Sequence, residues 1–327
     1  MNRINLTNSL IALAVGVALM FALPHFVEYY TLTLLVAYAM LGLSLGLIWG
    51  FGGILCFGQA AFFGLGAYAY AISAINVGES TLPVFLAILI PAIFAAALGA
   101  MMFYGRISDV YMGVITLVVT LILFKGVNST SGEQYVIGSA RIGGYNGIPG
   151  FQTLNVPGDP GAYLWEEDLY YVAFTALLII YALVRWLLAS PFGRSVVAIR
   201  ENEKRMELLG YDARFRKTVL FTAGGAIAGL SGCLYANWAE IVTPTLFSLG
   251  QSAEIIIWVI VGGLGTLAGP ILGAAILGYL KFAFGQQALI NNFVLMGLIL
   301  VIAVLVIPKG IVPAVIDIWS RVRGGRS

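Results

Sequence analysis

Long apolar stretches alternate with short polar connections along most of this chain of 327 residues. Most of the stretches are near the ~20 residues that an α-helix needs to cross the hydrocarbon core of a membrane. They lie at residues 9–25, 31–49, 54–77, 82–104, 109–127, 169–189, 218–238, 254–284 and 289–307. The pattern predicts an all-α integral membrane protein with about 8–10 transmembrane helices.

Composition supports this fold class. Charged residues make up 10% of the chain and the mean hydropathy is +0.96, whereas a soluble domain carries about 25% charged residues. We therefore expect a single transmembrane domain over residues 1–327. Its parts are a first half at 30–127, an outward loop at 128–168, a polar loop at 190–217 and a second half at 218–308.

The charges predict which side of the membrane each connection faces. Residues 190–217 contain seven Lys/Arg, and the tail adds Lys309, Arg321, Arg323 and Arg326. Short connections rich in these residues stay in the cytoplasm. Residues 128–168 carry five acids against Arg141 alone, so this loop is expected outside, with both termini cytoplasmic.

Two readings of the first stretch, residues 9–25, remain open. With Arg3 ahead of an apolar run it fits a cleaved signal peptide as well as a transmembrane helix. We favour a retained helix, because four more apolar stretches follow before any sizeable loop.

Glycine-rich interruptions occur at comparable places in the two halves. Residues 49–53 read Trp-Gly-Phe-Gly-Gly, and residues 262–270 read Gly-Gly-Leu-Gly-Thr-Leu-Ala-Gly-Pro. An unbroken 254–284 stretch would leave the basic tail outside, so this stretch is predicted to break. Transporters built from repeats place such breaks beside the substrate path. Close helix packing through small residues is the alternative explanation.

Residues around these interruptions are our candidates for the substrate path. They are Gly52, Gly53, Gln59, Tyr68, Trp258, Gly262 and Gly263. Their side chains do not distinguish one small cargo from another.

The polar loop contains signals for a short helix on the cytoplasmic surface. Ser190 followed by Pro191 is typical of a helix start, and Gly210 suits the residue just past a helix end. Residues 194–209 are predicted to be one helix, on which Glu201 and Arg205 have the favourable (i, i+4) order. The loop is either a solvated connector or a docking helix for a cytoplasmic partner.

A family resemblance favours the docking helix. Residues 190–194 read Ser-Pro-Phe-Gly-Arg, residues 198–203 Ala-Ile-Arg-Glu-Asn-Glu, and residues 207–210 Glu-Leu-Leu-Gly. This loop resembles that of the branched-chain amino acid ABC permeases of the LivM type and their urea permease relatives. The similarity extends over roughly residues 30–310, with further motifs at 52–53, 58–62, 66–68, 143–148, 254–258 and 262–270.

The resemblance implies a permease similar to those of type II importers, working by alternating access in the bacterial inner membrane. Its polar loop would act as a coupling helix in a groove of an ATP-binding subunit. The residues concerned are Arg200, Glu201, Asn202, Glu203, Lys204, Arg205, Glu207 and Gly210. ABC importers usually carry Glu-Ala-Ala before the glycine, whereas residues 204–207 here read Lys-Arg-Met-Glu.

The same resemblance implies the partners: a second, homologous permease subunit of the LivH type, two ATP-binding subunits and a periplasmic substrate-binding protein. Independently, a nucleotide-binding loop ends in Gly-Lys-Ser/Thr, and this chain has no Gly-Lys dipeptide. ATP and magnesium are therefore expected on partner subunits, and we expect no cofactor in this chain. The basic residues follow membrane sidedness, so no nucleic-acid partner is expected.

The sequence offers little for catalysis. Cys56 and Cys233 lie in apolar stretches, and His25 is the only histidine. Residues 42–46, Gly-Leu-Ser-Leu-Gly, fit a nucleophile-elbow pattern but lie inside a predicted span without a nearby histidine. A membrane enzyme is thus the weakest candidate.

An ion-coupled secondary transporter is the main rival from another class. Such a carrier normally needs an acid near the middle of the membrane, and no Asp or Glu lies centrally in a continuous predicted span. Glu254 and Lys281 are expected to reach the membrane interface from near the ends of the 254–284 stretch. Branched-chain or other hydrophobic amino acids are the expected cargo, with urea or short amides as the alternative.

Overall fold

The computed structural model describes residues 3–285, 297–298, 301, 305 and 310–315. The fold is all-α, as the sequence predicts, with short strands only in connections. In chain order the helices are α1 Arg3–Ala22, α2 Tyr29–Leu45, α3 Gln59–Val77, α4 Thr81–Tyr104, α5 Asp109–Asn128, α6 Glu166–Ala189, α7 Pro191–Glu201, α8 Glu203–Leu208, α9 Ala213–Ala239, α10 Leu249–Gly262 and α11 Ala268–Gly285.

Six helices in the described part of the chain are long and apolar enough to cross a membrane, namely α2, α3, α4, α5, α6 and α9. Shorter apolar helices occur at Ile11–His25, Leu249–Gly262 and Ala268–Phe284. The predicted span 289–307 and the basic tail lie almost wholly outside the described residues. The expected count of about 8–10 transmembrane helices stays a prediction.

Helix α9 lies at the centre of the bundle and packs against α2, α3 and α4. Small residues permit this close packing. A methyl group on Gly66 of α3 would overlap backbone atoms of Gly229 on α9, and one on Gly232 would overlap the Phe63 carbonyl. Packing through small residues is the means by which membrane helices approach closely, because lipid provides no hydrophobic drive between them.

The first glycine interruption lies where the sequence predicts it. Helix α2 continues into a π-helical turn, Gly46–Phe51, and residues 52–58 are not helical. Helix α3 then begins at Gln59, later than the predicted start of the 54–77 span. The chain therefore passes through an irregular segment, with a left-handed φ of 68° at Gly53, before α3 starts.

The second interruption separates α10 from α11. Gly263 and Gly265 have φ values of 113° and 82°, a left-handed backbone that favours glycine. The two helices pack antiparallel, since Gly262 contacts Gly269 while Gly273 contacts Trp258. Gly50 of the first interruption lies against the backbone of Gly265, so the two interruptions meet.

The two ends of the bundle differ in charge and in structure. We call the end that carries α7 and α8 the basic end, and the opposite end the acidic end. Connections at the acidic end form strands β1 Val136–Ile137, β2 Ala140–Arg141, β3 Ile148–Pro149, β4 Asn155–Val156, β5 Asp159–Tyr163 and β6 Ile241–Val242.

Strand β3 pairs antiparallel with β6, and Ile148 is opposite Val242. This pairing joins the loop after α5 to the connection after α9. The two connections therefore lie at the same end, as the charge pattern and the number of crossings predict. Helix α1 packs on α6 through Gly16 and Leu178.

Replacing Gly66 by alanine tests the α3–α9 contact. We expect G66A to destabilise the protein by about 1–3 kcal/mol, because the new methyl group overlaps backbone that cannot move aside. Thermal unfolding in detergent measures the change. Gly126→Ala is the matched control, since Gly126 is also helical but has open space around it. Equal unfolding temperatures for the two variants would contradict this packing.

Candidate functional site

The polar loop at the basic end folds into two short helices, α7 and α8. Ser190 Oγ accepts a hydrogen bond from the Gly193 N–H at 3.2 Å, and Pro191 is the first residue of α7, as the sequence predicts. Gly210 follows α8 with a φ of 85°. The start and end of this helical segment could be predicted from the sequence because helix caps depend on residues within one turn.

The prediction of a single helix over residues 194–209 is wrong. Asn202 has an extended backbone (φ −157°, ψ 95°) and ends α7. Its Oδ1 accepts the Arg205 N–H at 2.9 Å and so caps α8. An asparagine side chain competes for backbone N–H groups, which is why it favours a cap over a helix interior.

The break at Asn202 changes the ion pairs of the loop. Glu201 and Arg205 lie on different helices, and the predicted (i, i+4) interaction between them does not form. Glu201 instead lies 3.9 Å from Arg200, and Glu203 Oε2 is 2.6 Å from Lys217 Nζ on α9. The second pair fastens the start of α8 to α9.

Helix α7 contacts the first glycine interruption directly. Arg200 Nη1 donates a hydrogen bond of 2.5 Å to the Gly50 carbonyl. The stem of the same side chain covers Gly53, where any Cβ would come within 2.7 Å of it. Arg200, Gly50 and Gly53 thus form one contact between the polar loop and the end of α2.

Arg216 fastens the other side of α7. Its guanidinium donates to Ser195 Oγ at 2.5 Å and lies over the rings of Phe192 and Tyr211, at 5.6 Å and 5.0 Å from their centroids. Hydrogen bonding and cation–π attraction together hold α7 on the first turn of α9.

The tip of the loop exposes large apolar side chains. Leu208 is 88% exposed and Leu209 is 67% exposed, directly before Gly210. Lys204, Arg205 and Glu207 surround this tip and are also exposed. Two adjacent leucines on a charged, water-facing surface are typical of a contact surface for another protein.

The larger candidates for the substrate path are buried in the bundle. Gln59 Nε2 donates to Ser44 Oγ at 2.8 Å, which joins the start of α3 to α2. The Tyr68 ring lies 5.5 Å from that of Phe247, and the Trp258 ring lies 4.7 Å from that of Tyr38.

The glycine candidates occupy the interruptions themselves. Gly52 lies against Leu220 of α9 and Gly53 against Arg200, whereas Gly262 and Gly263 close the end of α10. Gly310, farther along the chain, packs on Gly263.

The interpretation of Glu254 as an interface-reaching side chain is wrong, whereas for Lys281, whose side chain is 27% exposed, it stays a prediction. The Glu254 side chain is 4% exposed, and its Oε2 lies 2.6 Å from Lys281 Nζ. The two residues are 27 positions apart, and only the antiparallel packing of α10 and α11 brings them together. No local sequence signal indicates this contact.

A cleft of about 530 Å³ opens at the acidic end, which the sequence did not suggest. Aromatic rings and carboxylates form much of its wall, including Tyr30, Trp165, Trp238, Glu166 and Glu240. The Leu154 N–H donates to Asn237 Oδ1 at 2.7 Å, which holds the loop after α5 over α9 at this cleft. Within the described ranges, no group of three or more His, Cys, Asp or Glu could hold a metal ion.

Residues 29–305 match the family model described as branched-chain amino acid transport system / permease component. The chain belongs to this permease family. LivM, the high-affinity branched-chain amino acid transport system permease protein of Escherichia coli K12, is 28% identical over 86% of this permease and 69% of its own length. No solved structure matches this permease.

Two relatives from Methanocaldococcus jannaschii extend the comparison. A probable LivM permease is 25% identical over 84% of this chain and 90% of its own length. A probable LivH permease is 30% identical over 44% of this chain and 47% of its own length. The permease is thus similar to both permease types of such systems.

The Arg200 contact can be tested by Arg200→Met, which keeps the length of the stem but removes the guanidinium. A hydrogen bond from a charged donor contributes about 1.5–3 kcal/mol, so we expect faster amide hydrogen exchange in α7 and at residues 50–54. Mass spectrometry of the purified permease measures this exchange. The control is Arg194→Met, since the hydrogen bond that Arg194 makes within the described residues goes to the nearby Ala189 carbonyl. Matching exchange in both variants would show that the Gly50 contact does not hold α7.

Proposed function

We propose that this permease is a transmembrane subunit of an ATP-driven importer for branched-chain amino acids. Membership of the family and the names of the relatives support this cargo over urea or short amides. A second permease subunit of the LivH type would complete the pore, because LivH and LivM relatives both match the chain. Two ATP-binding subunits would supply the energy.

The exposed leucine tip is the observation that carries this proposal. Burying a leucine side chain that water now covers is worth about 1.5–3 kcal/mol. Leu208 and Leu209 are exposed at the end of a fastened, charged loop. An apolar groove on an ATP-binding subunit would bury both residues, and the surrounding charges would set the orientation of the contact.

The loop also has a route by which to transmit movement. A displacement of α8 would move α9 through the Glu203–Lys217 ion pair. It would also move the end of α2, because Arg200 on the adjoining α7 is hydrogen-bonded to the Gly50 carbonyl. Because Gly50 lies against Gly265, the same displacement would act on both interruptions. Rigid helices that move about such breaks would open the path to each side in turn.

Ion coupling has less support. Among the described residues, Glu254 is the only buried carboxylate, and Lys281 already neutralises it. A proton or sodium ion that took the place of Lys281 at Glu254 would leave the lysine ammonium without a counter-charge. ATP-driven import therefore agrees better with the charges of the bundle.

A periplasmic binding protein would deliver the cargo at the acidic end. The cleft there is open and has polar and aromatic walls. We assign the acidic end to the outside and the basic end to the cytoplasm of a bacterial inner membrane, because basic connections stay inside. The termini would then be cytoplasmic.

This sidedness is testable with single cysteines. We expect a membrane-impermeant maleimide to label Tyr145→Cys in intact spheroplasts, and Leu208→Cys only in inside-out vesicles. Tyr145 and Leu208 are 76% and 88% exposed at opposite ends, and Cys56 and Cys233 are fully buried and give no background. Labelling of Leu208→Cys from outside would overturn the assignment.

The docking surface is tested by Leu208→Asp combined with Leu209→Asp. We expect ATP-driven uptake to fall about tenfold or more, equivalent to about 1.4 kcal/mol or more, together with loss of co-purification with the ATP-binding subunits. Uptake of radiolabelled leucine by the reconstituted complex measures the first effect. Phe26→Asp is the control, since Phe26 is 85% exposed at the acidic end. Normal uptake and assembly in the double variant would refute docking at this tip.

A further inference from the structure

The Glu254–Lys281 ion pair joins α10 to α11 at a position where apolar side chains could hold the two helices together. Both residues lie in apolar helices, and Glu254 is buried. Removing a charge from water costs several kcal/mol, which applies to Glu254 and in part to Lys281, whose side chain is 27% exposed. Replacement of a buried pair by apolar residues is often neutral or stabilising. Ionisable groups inside a membrane domain are therefore expected to have a function.

Unused hydrogen-bond donors flank this pair. Gln251 lies one turn before Glu254 on the same face of α10, and Trp258 lies one turn after it. Gln251 Nε2 and Trp258 Nε1 are both buried and have no partner among the described residues. Buried donors without a partner are rare and cost about 1–3 kcal/mol each. This face thus combines a carboxylate, an ammonium and two unsatisfied donors.

A series of aromatic rings connects this face with the cleft at the acidic end. Tyr30, which lines the cleft, lies 4.8 Å from Trp238, measured between ring centroids. Trp238 lies 5.4 Å from Tyr235, Tyr235 lies 6.1 Å from Tyr38, and Tyr38 lies 4.7 Å from Trp258. An apolar substrate side chain could therefore contact aromatic rings at each step between the cleft and Trp258.

We propose that Gln251, Glu254, Trp258 and Lys281 form a binding station for the main-chain group of an α-amino acid. The substrate ammonium pairs with Glu254, and its carboxylate pairs with Lys281 and accepts hydrogen bonds from Gln251 and Trp258. One ion pair within the protein becomes two between protein and substrate, so no charge is left unpaired. The apolar side chain of the substrate packs on the aromatic series.

The station rests on the proposed function, because it assumes that the cargo is an amino acid. It adds the residues that recognise the two charges common to all such cargo. The simpler explanation is that the pair only holds α10 against α11. The two explanations differ in what happens when both charges are removed together.

The test uses Glu254→Gln, Lys281→Met and the double variant, each in the complete complex in liposomes with saturating leucine-loaded binding protein. Lys281→Met leaves the buried Glu254 carboxylate unpaired, and Glu254→Gln leaves the partly exposed Lys281 ammonium unpaired. The double variant leaves neither charge. We expect each single variant to have a lower thermal unfolding temperature and the double variant to recover it. We expect leucine uptake to stay at least about tenfold below wild type in all three.

Recovery of both stability and uptake in the double variant would show a purely structural pair and overturn the station. Wild-type uptake in either single variant would also overturn it. Asp109→Asn combined with Lys125→Met is the control, since it removes one acid and one lysine from exposed positions on α5. We expect the control to transport at the wild-type rate.

Trp258→Phe provides a test that leaves every charge in place. It removes the indole N–H together with part of a fully buried ring. We therefore expect a lower unfolding temperature and, at a temperature where the variant stays folded, an uptake rate lowered about threefold to tenfold. An unchanged rate would overturn the role of Trp258 in the station. Absence of ATP-driven leucine uptake by the wild-type complex would instead overturn the proposed function, and the station with it.

Discussion

Backbone groups that leave a helix inside a membrane protein must find partners without help from bulk water. The first interruption meets this requirement with several kinds of acceptor and donor. Ile54 N–H donates to the Ile48 carbonyl at 3.2 Å, and Phe57 N–H donates to Thr116 Oγ1 at 3.1 Å. The Gly50 carbonyl is satisfied by Arg200. Thus the break in α2 depends on side chains that come from α5 and from the polar loop.

The second interruption is satisfied more locally. Gly263 N–H donates to the Val259 carbonyl at 3.0 Å, and Gly269 N–H donates to Thr266 Oγ1 at 3.1 Å. These partners lie within a few residues, so the backbone at this break is bonded by its own neighbours in sequence. In the part of the chain that the structure describes, the hydrogen bond from the loop at the basic end goes to the first break and not to the second.

The features predicted correctly from the sequence are those with local causes. Glycine marked both interruptions, with Pro270 in the second, and Ser190, Pro191 and Gly210 marked the limits of the polar loop. Asn202 was missed because its capping role depends on a choice between two local hydrogen-bond patterns. The Glu254–Lys281 pair and the Gly50–Gly265 contact were missed because they depend on how distant helices pack. The roles of Gln59 and Tyr68 in the substrate path stay predictions.

The pairing of β3 with β6 limits how the loop between α5 and α6 can change in length during evolution. Ile148 and Pro149 must keep their positions opposite the connection after α9, so inserted residues cannot accumulate beside them without breaking the ladder. The β4–β5 hairpin pairs with no third strand among the described residues. At its tip the Gly158 N–H donates to Glu79 Oε1 at 3.3 Å, but a side chain at this position would meet open space. Insertions are therefore best accommodated at that tip, where an epitope could also be placed without disturbing the membrane helices.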